Sequence, residues 1–429
     1  MQVPSAPKGT RDFYPEEMAF RERIFNSWKN TCERYGFECF DAPLFEQLSL
    51  YTQKSGDEIE KQLYTFEDKG GRLMALRPEM TPSLARMVAS KGTELKRPVR
   101  WYSIPRLFRY EKMQKGRLRE FFQLNMDILG IKECTADAEL IAASADIMRD
   151  LGFAADDFSI MISSRDLLEE LFLSYGLEQK TLPALYAILD KRHKVAPDEF
   201  EAGIADIIPN QSLREKVITT FNVKSLDDLR GINPDLPSLQ ELARLFEYLD
   251  NYGMNDYVQF DIGIVRGLAY YTGIVFELFD RKRSLRAIAG GGRYDNLVKN
   301  YGGPDTPAVG FAAGDVVLGE LLKLKENTSV ALQRSRVFIV YAGNEYPGKP
   351  IRIAQQIRRN NVSCEYALRK VNIGKQMKRA NSCGAEFAVI IGEEEETTGK
   401  VKLKNMRSGS ETVINENQLI DELHMKLKN

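Results

Sequence analysis

Residues 99–130 hold the feature that most constrains the fold of this chain: two strand-like stretches on either side of a short polar loop. The stretches read VRWYSIPRLFRYE and REFFQLNMDILG, and the loop reads KMQKGRL. In the second stretch, an apolar set alternates with a mostly polar set. The apolar set is Phe122, Leu124, Met126 and Ile128, and the alternate set is Phe121, Gln123, Asn125 and Asp127. Because neighbouring side chains of a strand point to opposite faces, the pattern predicts an antiparallel pair with one buried face. A binding site and a half-solvated sheet surface explain the polar face equally well.

The segment from Pro15 to Gly36 predicts a long amphipathic helix, with a proline near its start and a glycine at its end. Its apolar side chains recur at helical spacing: Phe20, Ile24, Trp28, Cys32 and Tyr35. We expect this stripe to lie against a sheet.

A chain of 429 residues is too long for one ordinary core, so two or three domains are expected. Residues 165–250 carry helical spacing broken by prolines, which predicts a helical insertion at about 170–250. Strands return with YVQFDIGIV, YYTGIVFELF and SLRAIAGG, and PAVGFAAGDVVLGELLKLK predicts a strand and then a helix. We therefore assign residues 1–325 to the first domain. After a linker at 326–335, alternating strands and helices predict a small α/β domain over 336–429.

The composition is that of a globular protein, with 43% hydrophobic and 28% charged residues. No run of about 18 uncharged apolar residues occurs, so we expect no membrane span. The N-terminus lacks an apolar segment typical of a signal peptide, so we expect a cytoplasmic protein. Five scattered cysteines without a C-x-x-C pair favour reduced thiols. The two histidines, His193 and His424, lie far from the motifs below, which argues against a serine–histidine triad or a histidine-ligated zinc.

The net charge of −1 gives no overall attraction to nucleic acid. The segment from Arg334 to Asn429, however, holds 17 Lys and Arg against 11 Asp and Glu. A basic terminal module could contact phosphate, and solvated helix faces account for the same charge.

Neither G-x-x-x-x-G-K-[ST] nor a G-x-G-x-x-G that opens a helix after a strand is present. Arginine is the alternative phosphate ligand, because its planar guanidinium reaches two oxygens at once. The candidates are Arg109, Arg117, Arg119 and Arg266, and the carboxylates near them in the motifs are Glu79, Glu111, Asp127 and Glu277. Such a constellation could hold ATP with Mg²⁺ on one side and an amine on the other.

Four segments resemble, in order and content, those that define the histidyl-tRNA synthetases, a family of class II aminoacyl-tRNA synthetases. They read LRPEMTPSLAR, FRYEKMQKGRLREFFQ, RGLAYYTGIVFE and GGGRYDNLV. The opening KGTRDFYPEE resembles the family's entry into motif 1, FRYE through Phe121 resembles motif 2, and the last two segments resemble the histidine-specific motifs. The resemblance spans nearly the whole chain.

The resemblance implies an α+β fold, with an antiparallel catalytic sheet flanked by helices and a terminal α/β module that reads the anticodon. It implies a homodimer with the first long helix at the interface. The activity would be that of a histidine–tRNA ligase that uses ATP with Mg²⁺ and no organic cofactor. Histidine would attack the α-phosphate of ATP, and the adenylate would then pass to the terminal ribose of tRNA(His).

The resemblance also implies roles for matching positions, although it assigns no metal ligand. The histidine-binding positions are Glu79, Thr81, Gln123, Asp127, Tyr271 and Tyr294. The ATP-binding positions are Arg109, Glu111, Arg117 and Phe121, and the catalytic arginines on the α-phosphate are Arg109 and Arg266. Gln114 and Arg119, in the motif 2 loop, would face the acceptor end of the tRNA. In-line attack on phosphorus needs positioning and positive charge rather than a general base, so the absence of a histidine side chain from these motifs is no obstacle.

Three positions depart from the family pattern. Motif 3 usually reads G-x-x-x-G-x-E-R, whereas here GFAAG is followed by DVV, so Val317 replaces the usual ATP-contacting arginine. Ala269 stands where many members carry an acidic residue, and Lys112 stands where motif 2 often has arginine. Two interpretations follow: an active ligase in which another arginine or a metal compensates, or a non-catalytic regulatory or sensor relative.

Overall fold

The computed structural model describes residues 3–52, 61–189, 196–264, 270–325, 335–342 and 348–427. Contacts between Cα atoms divide the chain into two compact units. One unit comprises Met1–Phe13 and Phe20–Thr328, and the other comprises Tyr14–Ala19 and Ser329–Asn429. Most of the predicted linker, 326–334, lies outside the described residues.

Strands and helices are interleaved along the first 325 residues. The strands are β1 (Glu38–Cys39), β2 (Phe45–Gln47), β3 (Thr65–Glu67), β4 (Leu73–Leu76), β5 (Val99–Ser103), β6 (Arg106–Phe108), β7 (Glu120–Leu129), β8 (Phe158–Ser164), β9 (Val258–Phe260), β10 (Thr272–Asp280), β11 (Ala289–Arg293) and β12 (Ala308–Gly314). The α-helices are α1 (Pro15–Arg34), α2 (Ser49–Thr52), α3 (Thr81–Lys91), α4 (Thr135–Asp150), α5 (Arg165–Ser174), α6 (Leu182–Leu189), α7 (Pro197–Ile207), α8 (Gln211–Thr220), α9 (Leu226–Ile232), α10 (Pro237–Asn251), α11 (Leu297–Asn300) and α12 (Asp315–Lys325).

The main sheet has nine strands within the described ranges, in the order β1-β5-β7-β12-β11-β10-β8-β9, with β6 paired to β7. Its neighbours are antiparallel except for the parallel pairs β1–β5 and β8–β9. A smaller sheet has the order β2-β4-β3. The predicted α+β class with an antiparallel sheet is therefore confirmed.

The apolar face of β7 lies in the core, as its alternation predicts. Leu124 and Met126 are fully buried there, in one cluster with Ile24 and Trp28 of α1. The predicted stripe of α1 is thus confirmed, and the helix packs over the sheet. Hydrogen bonds from the Ser27 hydroxyl to the Ile147 carbonyl oxygen and from the Tyr35 hydroxyl to Asp146 attach α1 to α4 as well.

The described residues between 165 and 251 form the helices α5 to α10, and prolines lie at the start of helices or between them. Pro197 and Pro237 begin α7 and α10, while Pro209 and Pro234 lie between helices. Proline lacks the N–H that a helix interior needs, whereas the first turn of a helix does not use it.

Two predicted strands have different bounds in the structure. The stretch over VRWYSIPRLFRYE divides into β5 and β6 around Pro105, because proline cannot donate to a strand ladder. The stretch over SLRAIAGG becomes a strand only at Ala289. Before it, the carboxylate of Asp280 accepts hydrogen bonds from the backbone N–H groups of Ser284 and Leu285, which makes this segment a turn.

The C-terminal unit is a mixed sheet packed with helices. Its strands are β13 (Val337–Tyr341), β14 (Cys364–Tyr366), β15 (Phe387–Ile391), β16 (Lys400–Asn405) and β17 (Glu411–Asn415), in the order β14-β13-β15-β16-β17. Its helices are α13 (Gly348–Arg359), α14 (Ile373–Ser382), α15 (Glu393–Thr398) and α16 (Leu419–Leu427). The first three strands are parallel and connected by helices, as predicted. The antiparallel hairpin β16–β17 was not predicted.

Candidate active site

A cavity of about 410 Å³ opens on the polar face of the main sheet. Its floor consists of residues from β7, β10, β11 and β12, and its walls include the start of α3 and the loop between β6 and β7. All four members of the alternate set of β7 line it: Phe121, Gln123, Asn125 and Asp127. The polar face of β7 therefore borders a concave site rather than a flat solvated surface.

Strand pairing orders the side chains along this cavity. Asp127 pairs with Gly310 and Gln123 pairs with Gly314, so β7 runs from an Asp127 end of the cavity to a Phe121 end. At the Asp127 end, β12 has no room for a side chain. A Cβ atom added at Gly310 would lie 2.8 Å from the carboxyl carbon of Asp127. The first glycine of GFAAG is thus needed for the Asp127 carboxylate to occupy its place.

Asp127 is 3% exposed and accepts a 2.6 Å hydrogen bond from the hydroxyl of Tyr294 on the GGGRYD segment. Burial raises the pKa of Asp127 to about 7, although the Tyr294 hydrogen bond opposes this shift. Burial and the nearby carboxylate raise the pKa of Tyr294 well above its usual value, so this phenol stays a donor. The pair is suited to bind a ring N–H, which needs a polar acceptor.

Glu79 lies two residues before α3 and is 4% exposed. Its Oε2 atom accepts a 2.8 Å hydrogen bond from the hydroxyl of Tyr270, while its buried Oε1 atom has no hydrogen-bond partner within the described residues. Burial raises the pKa of Glu79, whereas the charge of Arg109 and the Tyr270 hydrogen bond lower it. Leaving a buried acceptor unsatisfied costs about 1–3 kcal/mol, and a cationic donor such as an ammonium would remove that cost.

The other predicted histidine-site residues also line the cavity: Thr81, Gln123 and Tyr271. Thr81 is the first residue of α3. The carbonyl oxygen of Tyr271 accepts a 2.8 Å hydrogen bond from Arg165 of α5, which connects this tyrosine to the helical region. The structure therefore brings all six predicted histidine-site residues to one cavity.

The predicted ATP-site residues gather at the Phe121 end: Arg109, Glu111, Arg117 and Phe121 all line the cavity. The guanidinium of Arg109 lies 5.4 Å from the centroid of the Phe121 ring. Glu111 is 7% exposed and forms an ion pair with the Nε of Arg117. A turn at Gly116, which has a positive φ of 76°, places Arg117 over this end.

Val317 forms an apolar wall at the same end and is 8% exposed. A Cβ atom at Gly116 would lie 3.2 Å from its Cγ2, so the valine packs close to the β6–β7 loop. Asp315 accepts a 2.9 Å hydrogen bond from the Phe122 N–H and pairs with Arg11 at 2.7 Å, which attaches α12 to β7. The motif 3 departure thus leaves a well-packed apolar surface in place of a cation.

The residues predicted to face the tRNA acceptor, Gln114 and Arg119, lie on the β6–β7 loop outside the cavity lining. Arg119 places its guanidinium 4.0 Å from the centroid of the Tyr110 ring. Their role stays a prediction. Arg266 and Ala269 lie outside the described residues, so the assignment of Arg266 to the α-phosphate also stays a prediction.

Sequence reasoning assigned no site role to several cavity residues, among them Tyr270 and Arg286, and it placed Asn125 only on the polar face of β7. On a strand, only one of the adjacent Tyr270 and Tyr271 could face the site. Both precede β10 in irregular backbone, and both line the cavity. The tyrosine doublet was a usable clue. Arg286 was missed because it lies within SLRAIAGG, which was predicted as one strand. In the structure it belongs to the turn before β11.

No cluster of three or more His, Cys, Asp or Glu able to hold a metal occurs among the residues that the structure describes. His424 lies on α16, and His193 lies outside the described residues. All five cysteines are free thiols. In the described parts of the chain, no helix has the length and apolarity needed to cross a bilayer.

Comparisons with known proteins cover both units. The family model for histidyl-tRNA synthetase matches residues 9–315, and the model for the anticodon binding domain matches residues 336–426. The histidine–tRNA ligase of Opitutus terrae is 42% identical, over 96% of this chain and 96% of its own length. The chloroplastic/mitochondrial histidine–tRNA ligase of Arabidopsis thaliana is 40% identical, over 94% of this chain and 84% of its own. The crystal structure of histidyl-tRNA synthetase from Nostoc sp. PCC 7120 superposes with a TM-score of 0.82 at 26% identity, covering 99% of this chain and 100% of that one. On this evidence, the chain belongs to the histidyl-tRNA synthetase family.

Proposed function

We propose that this chain is a histidine–tRNA ligase, which activates histidine with ATP and transfers it to the 3′ end of tRNA(His). Relatives that match nearly its full length carry that name, which favours the ligase over a regulatory or sensor relative. The observation that carries the proposal is the pair of buried carboxylates lining one cavity, Glu79 and Asp127, each bonded to a tyrosine hydroxyl.

These two carboxylates suit two different groups of one amino acid. The unpartnered Oε1 of Glu79 would accept from the α-ammonium, with Thr81 and Gln123 beside it. Asp127 would accept from an imidazole nitrogen, with Tyr294 and Tyr271 at the same end. An amino acid with an apolar side chain would leave Asp127 with the Tyr294 hydrogen bond alone and no partner from the ligand. A site built to hydrogen-bond its ligand rejects such an analogue by about 10⁴-fold or more.

In the activation step, a carboxylate oxygen of histidine attacks the α-phosphorus of ATP. A bond forms between that oxygen and phosphorus, the bond to the bridging oxygen of the β-phosphate breaks, and pyrophosphate leaves. The attacking group is already an anion, so no general base is required. Arg109 lies beside both Glu79 and the Phe121 ring, which suits it to hold the α-phosphate while adenine stacks on Phe121. We assign Arg266 to the same phosphate by family match.

Mg²⁺ would enter with ATP. Protein sites for Mg²⁺ usually contribute one or two carboxylates and leave the remaining ligands to phosphates and water. Glu111 and Glu277 line the cavity and fit that pattern. The ion would offset phosphate charge as pyrophosphate leaves.

In the second step, a hydroxyl oxygen of the terminal ribose attacks the carbonyl carbon of the adenylate. An ester bond forms, the bond between that carbon and the phosphate oxygen breaks, and AMP leaves as the hydroxyl proton passes to a phosphate oxygen. We assign activation and transfer to residues 1–325, with the helical insertion at about 170–250, and anticodon binding to the basic module at 336–429. Gln114 and Arg119 would approach the acceptor end. We also propose a cytoplasmic homodimer with α1 at its interface, as the family pattern implies.

The test is ATP–pyrophosphate exchange by the purified protein with histidine and with a panel of other amino acids. Exchange driven by histidine alone is the expected result. Exchange with another amino acid, or histidine binding without any exchange, would contradict the proposed activity.

A further inference from the structure

Arg286 lies in the turn between β10 and β11 and is one of the residues that line the cavity. Its side chain is exposed, and it takes part in no hydrogen bond or ion pair with any residue of the described ranges. By contrast, Arg117 at this cavity pairs with Glu111, and Arg109 donates to the Pro78 carbonyl oxygen. Arg286 therefore brings to the cavity a positive charge that forms no ion pair with a carboxylate of the described residues.

Strand pairing shows which end of the cavity this charge reaches. Ala289 of β11 pairs with Ala313 of β12, and Gly314 of β12 pairs with Gln123 of β7. The strands β11 and β12 are antiparallel, so residues before Ala289 lie beside residues after Ala313. Arg286, three residues before Ala289, therefore lies beyond Gly314, on the side of Val316, Val317 and Phe121. Arg286 thus lies at the Phe121 end of the cavity, where the predicted ATP-site residues gather and which we call the nucleotide end. Asp127 lies at the opposite end.

The turn that carries Arg286 is itself ordered. Asp280 accepts hydrogen bonds from the Ser284 hydroxyl and from the backbone N–H groups of Ser284 and Leu285. These bonds fix the chain up to the residue before Arg286. The guanidinium is therefore presented from a fixed backbone, which limits the entropy lost when it binds a ligand.

At position 317, where family members usually carry an ATP-contacting arginine, this chain has a buried valine. We propose that Arg286 binds the phosphates of ATP and replaces the cation missing at position 317. This inference rests on the proposed function, since it assumes that ATP occupies the Phe121 end. A guanidinium suits the task because its planar fork donates to two phosphate oxygens at once.

The first test compares Arg286→Ala with a matched control, Lys282→Ala, in the exchange assay. Lys282 is an exposed cation of the same turn that does not line the cavity. Arg286→Ala should raise KM for ATP about tenfold or more, as loss of a charge-assisted hydrogen bond does, and change KM for histidine less than about twofold. Lys282→Ala should behave as wild type. Both variants should keep the wild-type melting temperature, because neither side chain is buried.

A second test moves the charge rather than removing it. The double variant Arg286→Ala/Val317→Arg should recover part of the lost ATP affinity, and Arg286→Lys should be intermediate, because an ammonium provides charge without the fork. An unchanged KM for ATP in Arg286→Ala would overturn the inference, as would equal increases in KM for ATP and histidine.

Calorimetric titration with Mg·ATP in the absence of histidine separates this inference from the proposed function. If wild type binds ATP, Arg286→Ala should weaken that binding whether or not histidine drives exchange. Equal ATP binding by the two proteins would refute the role of Arg286 alone. A lack of histidine-dependent exchange, with the difference in ATP binding retained, would refute the ligase activity alone.

Discussion

Substitution of Gly310 by alanine tests the histidine site without changing a polar group. The new methyl carbon would lie 2.8 Å from the carboxyl carbon of Asp127, whereas carbon atoms normally approach to about 3.5–4.0 Å. The carboxylate must therefore retreat by roughly 1 Å. A hydrogen bond stretched by that amount is lost, and one that involves a charged group contributes about 1.5–3 kcal/mol. We expect KM for histidine to rise about 10- to 150-fold, with KM for ATP nearly unchanged.

Gly314→Ala is the matched control, because it adds the same methyl group to the same strand where nothing lies within 4 Å. It should leave KM for histidine unchanged. The assay is pyrophosphate exchange at varied histidine and saturating ATP, with thermal unfolding measured in parallel to show that both variants fold. If folded Gly310→Ala keeps the wild-type KM for histidine, Asp127 does not hold the imidazole and the assignment of the two ends of the cavity is wrong.

Four further outcomes are expected. Asp127→Asn should stabilise the ligand-free protein by up to about 4 kcal/mol at pH 8 and hardly at pH 4. The reason is that the pKa of Asp127 is raised to about 7 in the folded protein. The protonated carboxyl therefore contributes fully to the free energy of unfolding below about pH 4, and this contribution is lost as the pH rises through 7. Denaturant melts at the two pH values check this. Tyr270→Phe should raise KM for histidine about fivefold, since it removes one hydrogen bond from Glu79; histidine-dependent exchange measures it, and no change would contradict that contact. Arg266→Ala should lower the exchange rate at least about a hundredfold with the melting temperature unchanged, and near-normal exchange would refute its role. Deletion of residues 330–429 should reduce aminoacylation of tRNA far more than exchange, whereas an equal loss of both would mean that the module only supports the catalytic unit.

Much of the local structure was predictable because it depends on periodic patterns within short segments. The alternation along β7 assigned Leu124 and Met126 to the core and Gln123 and Asp127 to the other face, and the structure agrees. The buried stripe of α1 and the helix breaks at prolines were predicted correctly for the same reason. One element was missed although its pattern was present: β16 reads KVKLKN, in which the buried Val401 and Leu403 alternate with lysines, and its partner β17 reads ETVIN.

The sequence alone determined the residue types of the site and, through four matching segments, the family to which they belong. Only the tertiary structure decided which of them meet. Asp127, Gly310 and Tyr294 are far apart in the chain, and they come together because β7 pairs with β12 and β12 with β11. Likewise, the irregular backbone before β10 lets Tyr270 reach Glu79, and the turn before β11 brings Arg286 to the nucleotide end. Pairing between distant strands and the course of irregular segments depend on how the whole chain packs, and no local periodicity encodes them.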